Sequence, residues 1–568
     1  MKLPWASTFF GIAPRCEADS CTLAERRDEL SAIQREDVDT TGKYQHTYRS
    51  ATCVLTVKQR WYSSMPNPSK IESIATLYFG KDDAELDIAS GGLLREGFLR
   101  TAAYEAAKQG QKNLIIGRKG SGKSAICMML HKWPVGESGH ASLVTPDEIS
   151  ADEIRRFELP GIPHQQSKTL LWRYILYVQV AKYIAVHARD AHADAPGAVK
   201  AVRRFLIENG ELDDLSLSEK FWRMIERIKG SLSLEAFGIK VAADVEAPSE
   251  GIRASTQIDT LERGLLAALD ALRDEGCRAQ FLLLVDQLEK VWSNDRESDA
   301  MVVGLLNASK ELQHTFGDAV RCVVFLRTDI YEFLNFQDRD KFRGSEFRID
   351  WTPDMLLQLV LIRAQASTHS DLPADNLWGG LFPAAVSGEP TPVYAIKRTL
   401  LRPRDIIQLC NVCRDTAQKN GRATITEEDV REAARQFSTW KLLDLVGEWT
   451  VNYPFLNDLL VLVQSGSYLI NRDDLSRKVE PIRDSLASRY REFSHYFNTD
   501  GVINIFYQIG LLGVVRSGRP SYAYEELVPV EPHEREFAIH PGFREALRAT
   551  SAIGVPDFQP SFMSLSQP

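Results

Sequence analysis

Short apolar runs punctuate this chain, and between them apolar residues return every three or four positions. The runs are Asn113–Ile116, Ala141–Val144, Phe281–Val285 and Cys322–Leu326, and Phe347–Trp351 reads as a further strand. Strands that are apolar at consecutive positions suit the middle of a parallel sheet, where both faces are covered. Helical periodicity marks Leu93–Lys108, Ile149–Phe157, Lys168–Ala191, Gly197–Asn209, Ser218–Gly230 and Asp259–Glu275. Leu232–Ala247 alternates more like strands. Strands alternating with helices predict an α/β core.

The second half of the chain reads as helical. Thr352 is a good N-cap with Pro353 at the first helical position. Arg402-Pro403-Arg404-Asp405 opens a helix, and Thr426 with Asp429 three residues on resembles a capping box. Helices then follow at Leu442–Val451, Asn457–Val463, Asp474–Tyr496 and Asp500–Ile509. Gly513–Val515 and Tyr522–Tyr524 flank the turn Ser517–Pro520, which predicts a hairpin wing. Helices followed by such a hairpin suggest a winged helix.

Local chemistry centres on Gly117-Arg118-Lys119-Gly120-Ser121-Gly122-Lys123-Ser124, which fits G-x-x-x-x-G-K-[ST] without mismatch. Gly117 and Gly122 free the backbone to wrap a phosphate. Lys123 then reaches the outer phosphates, the Ser124 hydroxyl ligates Mg²⁺, and the helix from Ala125 adds its positive dipole end. Phe281–Val285 ends at Asp286, an apolar strand closed by an acid, as in a Walker B element holding Mg²⁺ across from Ser124. The long spacing between these two motifs predicts a helical insertion near residues 150–275.

Composition sets outer limits. The chain has 568 residues, enough for several domains, and a net charge of −9. That balance gives no global pull towards nucleic acid or anionic membrane. No uninterrupted apolar run reaches membrane-spanning length; Leu170–Val186 is broken by Arg173, Gln179 and Lys182. With no signal peptide apparent, a cytoplasmic location is expected. Cys410 and Cys413 share a C-x-x-C, but on a helix and without a second pair, so buried thiols are expected and not a zinc site. Residues 1–64 hold three of the eight cysteines and have poor periodicity. Met65 is expected to be the natural start, with 1–64 a poorly structured extension or an upstream misreading.

Taken in order, Gly117–Ser124, Leu282–Glu289, Phe325–Asp329, Arg402–Asp405 and Ile425–Val430 resemble AAA+ and STAND-type ATPases. Phe79–Glu85, Gly117–Gly120, Leu326–Asp329 and Arg402–Asp405 look more narrowly like the bacterial FunZ-like P-loop ATPases. The resemblance implies a P-loop NTPase parallel sheet with a large helical insertion, a helical lid and a C-terminal winged-helix-like domain. Expected boundaries are 65–370 for the core, 371–440 for the lid, 441–550 for the winged-helix-like unit and 551–568 for a disordered tail. ATP and Mg²⁺ are the implied ligands, held by Gly117 through Ala125 and by Asp286. Arg327 or Thr328 would be sensor 1, and Arg402 or Arg404 sensor 2. Arg339, Lys341 and Arg343 form a basic loop, with an arginine finger as the sharper alternative.

One position departs from the AAA+ pattern. Where those enzymes carry Glu after the Walker B acid, this chain has Gln287, and the nearest carboxylate is Glu289. An amide orients water but takes no proton, so either Glu289 is the base or turnover is slow. The expectation is a slow ATPase acting as a regulatory switch with a protein partner or self-association, in a setting of bacterial anti-phage defence. A nucleic-acid loader or motor, and a non-hydrolysing scaffold, are the alternatives. Residues 441–568 carry 12 Lys/Arg against 16 Asp/Glu, and Gly501–Gly510 has neither Lys nor Arg. Phosphate contacts supply most non-specific affinity, so nucleic acid is not favoured as a partner.

Overall fold

The computed structural model describes residues 74–550, except 133–139, 147–150, 192–196, 213–216, 231, 239–248, 275–279, 335, 337–338, 370–376 and 526–527. The chain divides into two units, Met1–Pro66 and Asn67–Pro568, and every described residue belongs to the second. The expectations for residues 1–64 and for the tail after Ser551 lie outside the described residues.

Five strands form the core sheet: β1 (Leu114–Gly117), β2 (His140–Val144), β3 (Phe281–Val285), β4 (Val320–Arg327) and β5 (Glu346–Arg348). Their order is β2-β3-β4-β1-β5, and every pair is parallel. Strand β4 lies between β1 and β3, with Gly117 opposite Arg327 and Val324 opposite Val285. The phosphate-loop motif, the end of β4 and Asp286 therefore emerge side by side at the carboxyl edge, where open α/β sheets bind ligands. Alternate residues serve opposite faces. Leu283, Val285, Val324 and Leu326 enter one apolar core, and Leu282, Leu284, Val323 and Phe325 enter the other.

Helices cover both faces. Ahead of and after β1 come α1 (Ala84–Ala89), α2 (Ala102–Lys108) and α3 (Lys123–Lys132). The insertion between β2 and β3 holds α4 (Ala151–Arg156), α5 (His164–Ala191), α6 (Gly197–Glu208), α7 (Leu217–Lys229) and α8 (Glu250–Asp274), and α9 (Arg296–Phe316) follows β3. Helix α5 buries Trp172, Tyr174 and Tyr177. The charge that interrupts it, Arg173, is paired with Glu262 at 2.8 Å and Asp259 at 3.0 Å on α8. No helix among the described residues is long and apolar enough to cross a membrane.

Two sequence expectations change here. Leu93–Lys108 is not one helix: the chain turns through Gly97, runs extended, and restarts where Thr101 Oγ1 accepts from Tyr104 N at 3.3 Å. A Cβ at Gly97 would press into Arg363, so this stretch is shaped by close packing and not by its periodicity. Residues 232–238 form coil and a single 3₁₀ turn, not a strand, and the rest of that stretch to 248 is outside the described residues.

Beyond β4 lie α10 (Thr328–Phe333), α11 (Pro353–Thr368), a small hairpin (β6 Ala385–Val386, β7 Glu389–Pro390), α12 (Thr391–Ile396), α13 (Pro403–Lys419) and α14 (Glu427–Trp449). Thr352 caps α11, and Thr426 and Asp429 cap α14 reciprocally. Helix α14 runs unbroken past residue 440, so one helix joins the lid region to the region beyond it. That region contains α15 (Leu456–Leu460), β8 (Leu469–Asn471), α16 (Arg472–Arg489), α17 (Thr499–Gln508), β9 (Leu512–Arg516), β10 (Arg519–Ser521), β11 (Glu536–Ile539) and α18 (Pro541–Arg544). Its antiparallel sheet has the order β10-β9-β11-β8. Ser517 (φ 51°) and Gly518 (φ 74°) close the β9–β10 hairpin, the left-handed pair that suits a two-residue turn.

Candidate functional site

Glycine has two different uses in the loop after β1. Gly120 (φ 77°) and Gly122 (φ 94°) hold left-handed backbone, while Gly117 is needed for space, because a Cβ there would collide with Ser121 Oγ. Lys123 is buried, and its Nζ donates to Gly117 O at 2.9 Å and Arg118 O at 3.2 Å. Burial pulls its ammonium pKa down, with Glu289 and Asp286 working against that. Ser121 Oγ is buried without a hydrogen-bond partner. Trp351, just beyond β5, donates from Nε1 to Ser121 O at 2.9 Å and clamps the loop from outside.

Across the edge, Asp286 accepts a hydrogen bond from the Ser124 hydroxyl. Burial, then repulsion from Glu289, pushes its carboxyl up to about 6, with Lys123 and Ser124 opposing. Gln287 holds left-handed backbone (φ 64°), an uncommon state for a side-chain-bearing residue, and its Nε2 donates to Glu85 on α1. Glu289 is exposed and lines the cleft beside Lys123.

The arginines separate into two groups. Arg404, at the start of α13, lines the cleft and donates from Nε to Asp82 O at 3.1 Å. Arg402, two residues earlier, is buried and donates to both oxygens of Glu448 on α14, at 2.8 and 3.3 Å. Arg327 binds Asp329 through Nε at 3.0 Å and through Nη2 at 2.5 Å, and reaches Glu448 O at 3.4 Å. Thr328 begins α10 directly after it. Arg118 donates to Leu400 O at 2.7 Å and stacks 5.0 Å from the Tyr524 ring. Burial, then neighbouring Arg402, lowers its pKa to about 10. Lys119 lines the cleft near Glu448, Arg327 and Arg404. In the basic loop, Arg339 is engaged internally, with Glu332 at 3.0 Å and over the Tyr331 ring.

Sequence reading missed the other wall of the cleft. Lys81, Asp82 and Ala84 from the stretch before β1 line it, together with Leu94 and Phe98, and Leu359 of α11 and Ile407 of α13 close it. One end is thus cationic and rich in backbone N–H groups, and the other is apolar. That pattern fits a polyphosphate carrying a flat, apolar-faced group. The hydroxyl and carboxylate of Ser124 and Asp286 are hard oxygen donors, and the crowding of Asp286 by Glu289 is what a divalent cation would relieve. The residues present therefore fit Mg²⁺. The signals for the missed wall were Gly80 (φ 87°), whose Cβ would strike Arg363, and the acid-rich Asp82–Glu85.

This is a P-loop NTPase fold. The family described as the FunZ-associated C-terminal helical domain matches residues 354–446, which span α11 to α14. The putative transposon gamma-delta 80.3 kDa protein of Escherichia coli (strain K12) is 22% identical over 464 residues, 78% of this chain and 63% of that protein. The chain thus spans less than two thirds of that relative. The allergen Alt a 2 of Alternaria alternata is 28% identical over 134 residues, 23% of this chain and 70% of that protein. Among solved structures, Cdc6p from Pyrobaculum aerophilum is 12% identical with a TM-score of 0.27, covering 82% of this chain and 90% of that one. The Aeropyrum pernix ORC2 protein is 12% identical with a TM-score of 0.26, covering 84% and 92%. These likenesses are distant, and the strand order and loop geometry carry the fold.

Proposed function

We propose that this chain is a Mg²⁺-dependent ATPase that works as a slow, nucleotide-driven regulatory switch. The observation that carries the reading is the convergence of Lys123, the Ser124–Asp286 pair and Arg404 on one cleft with an apolar far end. Adenine fits the apolar end, and the triphosphate follows the loop N–H groups towards Lys123. Mg²⁺ on Ser124 and Asp286 would neutralise phosphate charge. Water attacks the γ-phosphorus, the bond to the β,γ-bridging oxygen breaks, ADP leaves, and Glu289 takes the proton.

The switch is built around Glu448. Its carboxylate engages Arg402, and its carbonyl oxygen accepts from Arg327, the arginines expected to read nucleotide. Neither guanidinium lines the cleft, so a γ-phosphate would have to draw Arg327 or Arg402 away from Glu448, and ATP and the Glu448 contact oppose each other. Helix α14 would transmit the outcome to the region beyond residue 450, which we read as winged-helix-like. Half of the residues of helix α17 are buried and none is Lys or Arg, which favours a protein partner or self-association over DNA. The cellular setting we propose, on the STAND-type resemblance, is a cytoplasmic role in bacterial defence against phage.

The test is ATP turnover by purified protein, with and without DNA, beside Lys123→Ala and Glu289→Gln. Slow, DNA-indifferent turnover lost in both variants is the expected result. DNA-stimulated turnover would instead support a loader or motor, and ATP binding without turnover would support a scaffold.

A further inference from the structure

Gln287 and Glu85 form a pair that the motif reading did not use. Glu85 lies in the first turn of α1, half-buried, and accepts from Gln287 Nε2. Burial, then Asp83, raises its carboxyl pKa, with Lys290 opposing. Cys127 of α3 feels the charge of both Asp286 and Glu85, so the two carboxylates lie near the same helix.

An amide has a donating end and an accepting end, and an ionised carboxylate only accepts. The Glu85 contact therefore fixes which end of Gln287 is which, a choice that geometry alone leaves open. With the nitrogen committed to Glu85, the amide oxygen remains as an acceptor on the residue that directly follows Asp286 at the carboxyl end of β3. An accepting glutamine oxygen is what orients attacking water in some P-loop NTPases.

We propose that Glu85 is a positioning residue for hydrolysis: it anchors the Gln287 nitrogen so that the amide oxygen accepts a hydrogen bond from the attacking water. This rests on the ATPase reading above. Gln287 gives and takes no proton; the proton passes to Glu289, as already described. A second carboxylate on α1 thus lets a neutral residue serve where an acid would otherwise stand.

The experiment compares single-turnover ATP hydrolysis and binding of a non-hydrolysable ATP analogue in wild type, Glu85→Lys, Glu85→Gln and the pair Glu85→Lys/Gln287→Glu. Lysine only donates, so it reverses the amide; hydrolysis should fall about 10- to 100-fold with analogue affinity unchanged. Glutamine keeps an accepting oxygen and should give an intermediate rate. In the double variant, the introduced ammonium holds one oxygen of the introduced carboxylate and leaves the other for water, so hydrolysis should recover. Glu85→Lys turning over like wild type overturns the proposal. So does a loss that the double variant leaves unrelieved, because that loss is structural. Wild type that binds the analogue but never hydrolyses ATP instead overturns the ATPase reading, and is seen before any variant is compared.

Discussion

Arg402 and Glu448 face each other in the interior between α13 and α14, joined by hydrogen bonds of 2.8 and 3.3 Å. Burial alone would lower the Arg402 pKa and raise that of Glu448; each partner reverses the effect on the other. Arg327 adds a contact to the Glu448 backbone, and Lys119 of the phosphate loop feels its charge. One residue of α14 thus contacts arginines from β4 and the start of α13, and its charge reaches a lysine of the phosphate loop.

Glu448→Ala leaves Arg402 buried without its partner. We expect a loss of about 3–5 kcal/mol, the cost of stranding a buried charge. Glu448→Ala should also bind the ATP analogue more tightly, because a competing anion is gone. Chemical denaturation and an analogue titration on the same protein check both, and weaker analogue binding would remove Glu448 from the switch.

Arg404→Ala and Arg402→Ala should behave differently. Arg404 lines the cleft, so its loss should weaken nucleotide binding by about 1.5–3 kcal/mol, the range for a charge-assisted contact, with little change in stability. Arg402 sits in a buried pair, so its loss should lower stability first. Equal effects of the two variants on both readouts would contradict the assignment.

Asp286 gives a pH dependence with a definite sign. Its folded pKa is about 6, above the ordinary carboxylate value, so the folded state keeps a proton that the unfolded chain has lost. Stability contributed by this group therefore falls as pH rises through roughly 4 to 6 and is level above. Asp286→Asn should flatten that slope and raise the melting temperature by about 1–2 °C at neutral pH. Mg²⁺-dependent nucleotide binding should weaken as pH drops below about 6 and vanish in the variant. Thermal melts and analogue titrations across roughly pH 4–8 test this.

Gln287→Gly should separate strain from function. Glycine accepts left-handed backbone freely, which removes strain of about 1–3 kcal/mol but also removes the amide. The expected variant melts no lower than wild type yet hydrolyses ATP more slowly. A destabilised variant would mean that the Glu85 contact outweighs the backbone strain.

The centre of the sheet was legible because β1, β3 and β4 are apolar on consecutive residues and the loop motif tolerates few alternatives. Strand β5 came out shorter than Phe347–Trp351, because Trp351 leaves the sheet to clamp Ser121. Local periodicity could not separate Arg402 from Arg404. They sit two residues apart at a helix start, and only the packing of α14 decides which one is buried. Glu85 and Glu448 carried no motif: each matters through a partner 202 or 46 residues away, respectively, and such pairings are set by tertiary structure. Strands β8 and β11 are short and lie far apart in sequence, so their antiparallel pairing left no hairpin signal.

The central claim is that this cleft holds Mg²⁺·ATP through the phosphate loop. An equilibrium titration of wild type and Lys123→Ala with a non-hydrolysable ATP analogue and Mg²⁺ tests it most directly. Saturable one-to-one binding by wild type, weakened by about 3 kcal/mol or more in Lys123→Ala, is the predicted result. No binding by wild type, or equal binding by both proteins, would contradict it.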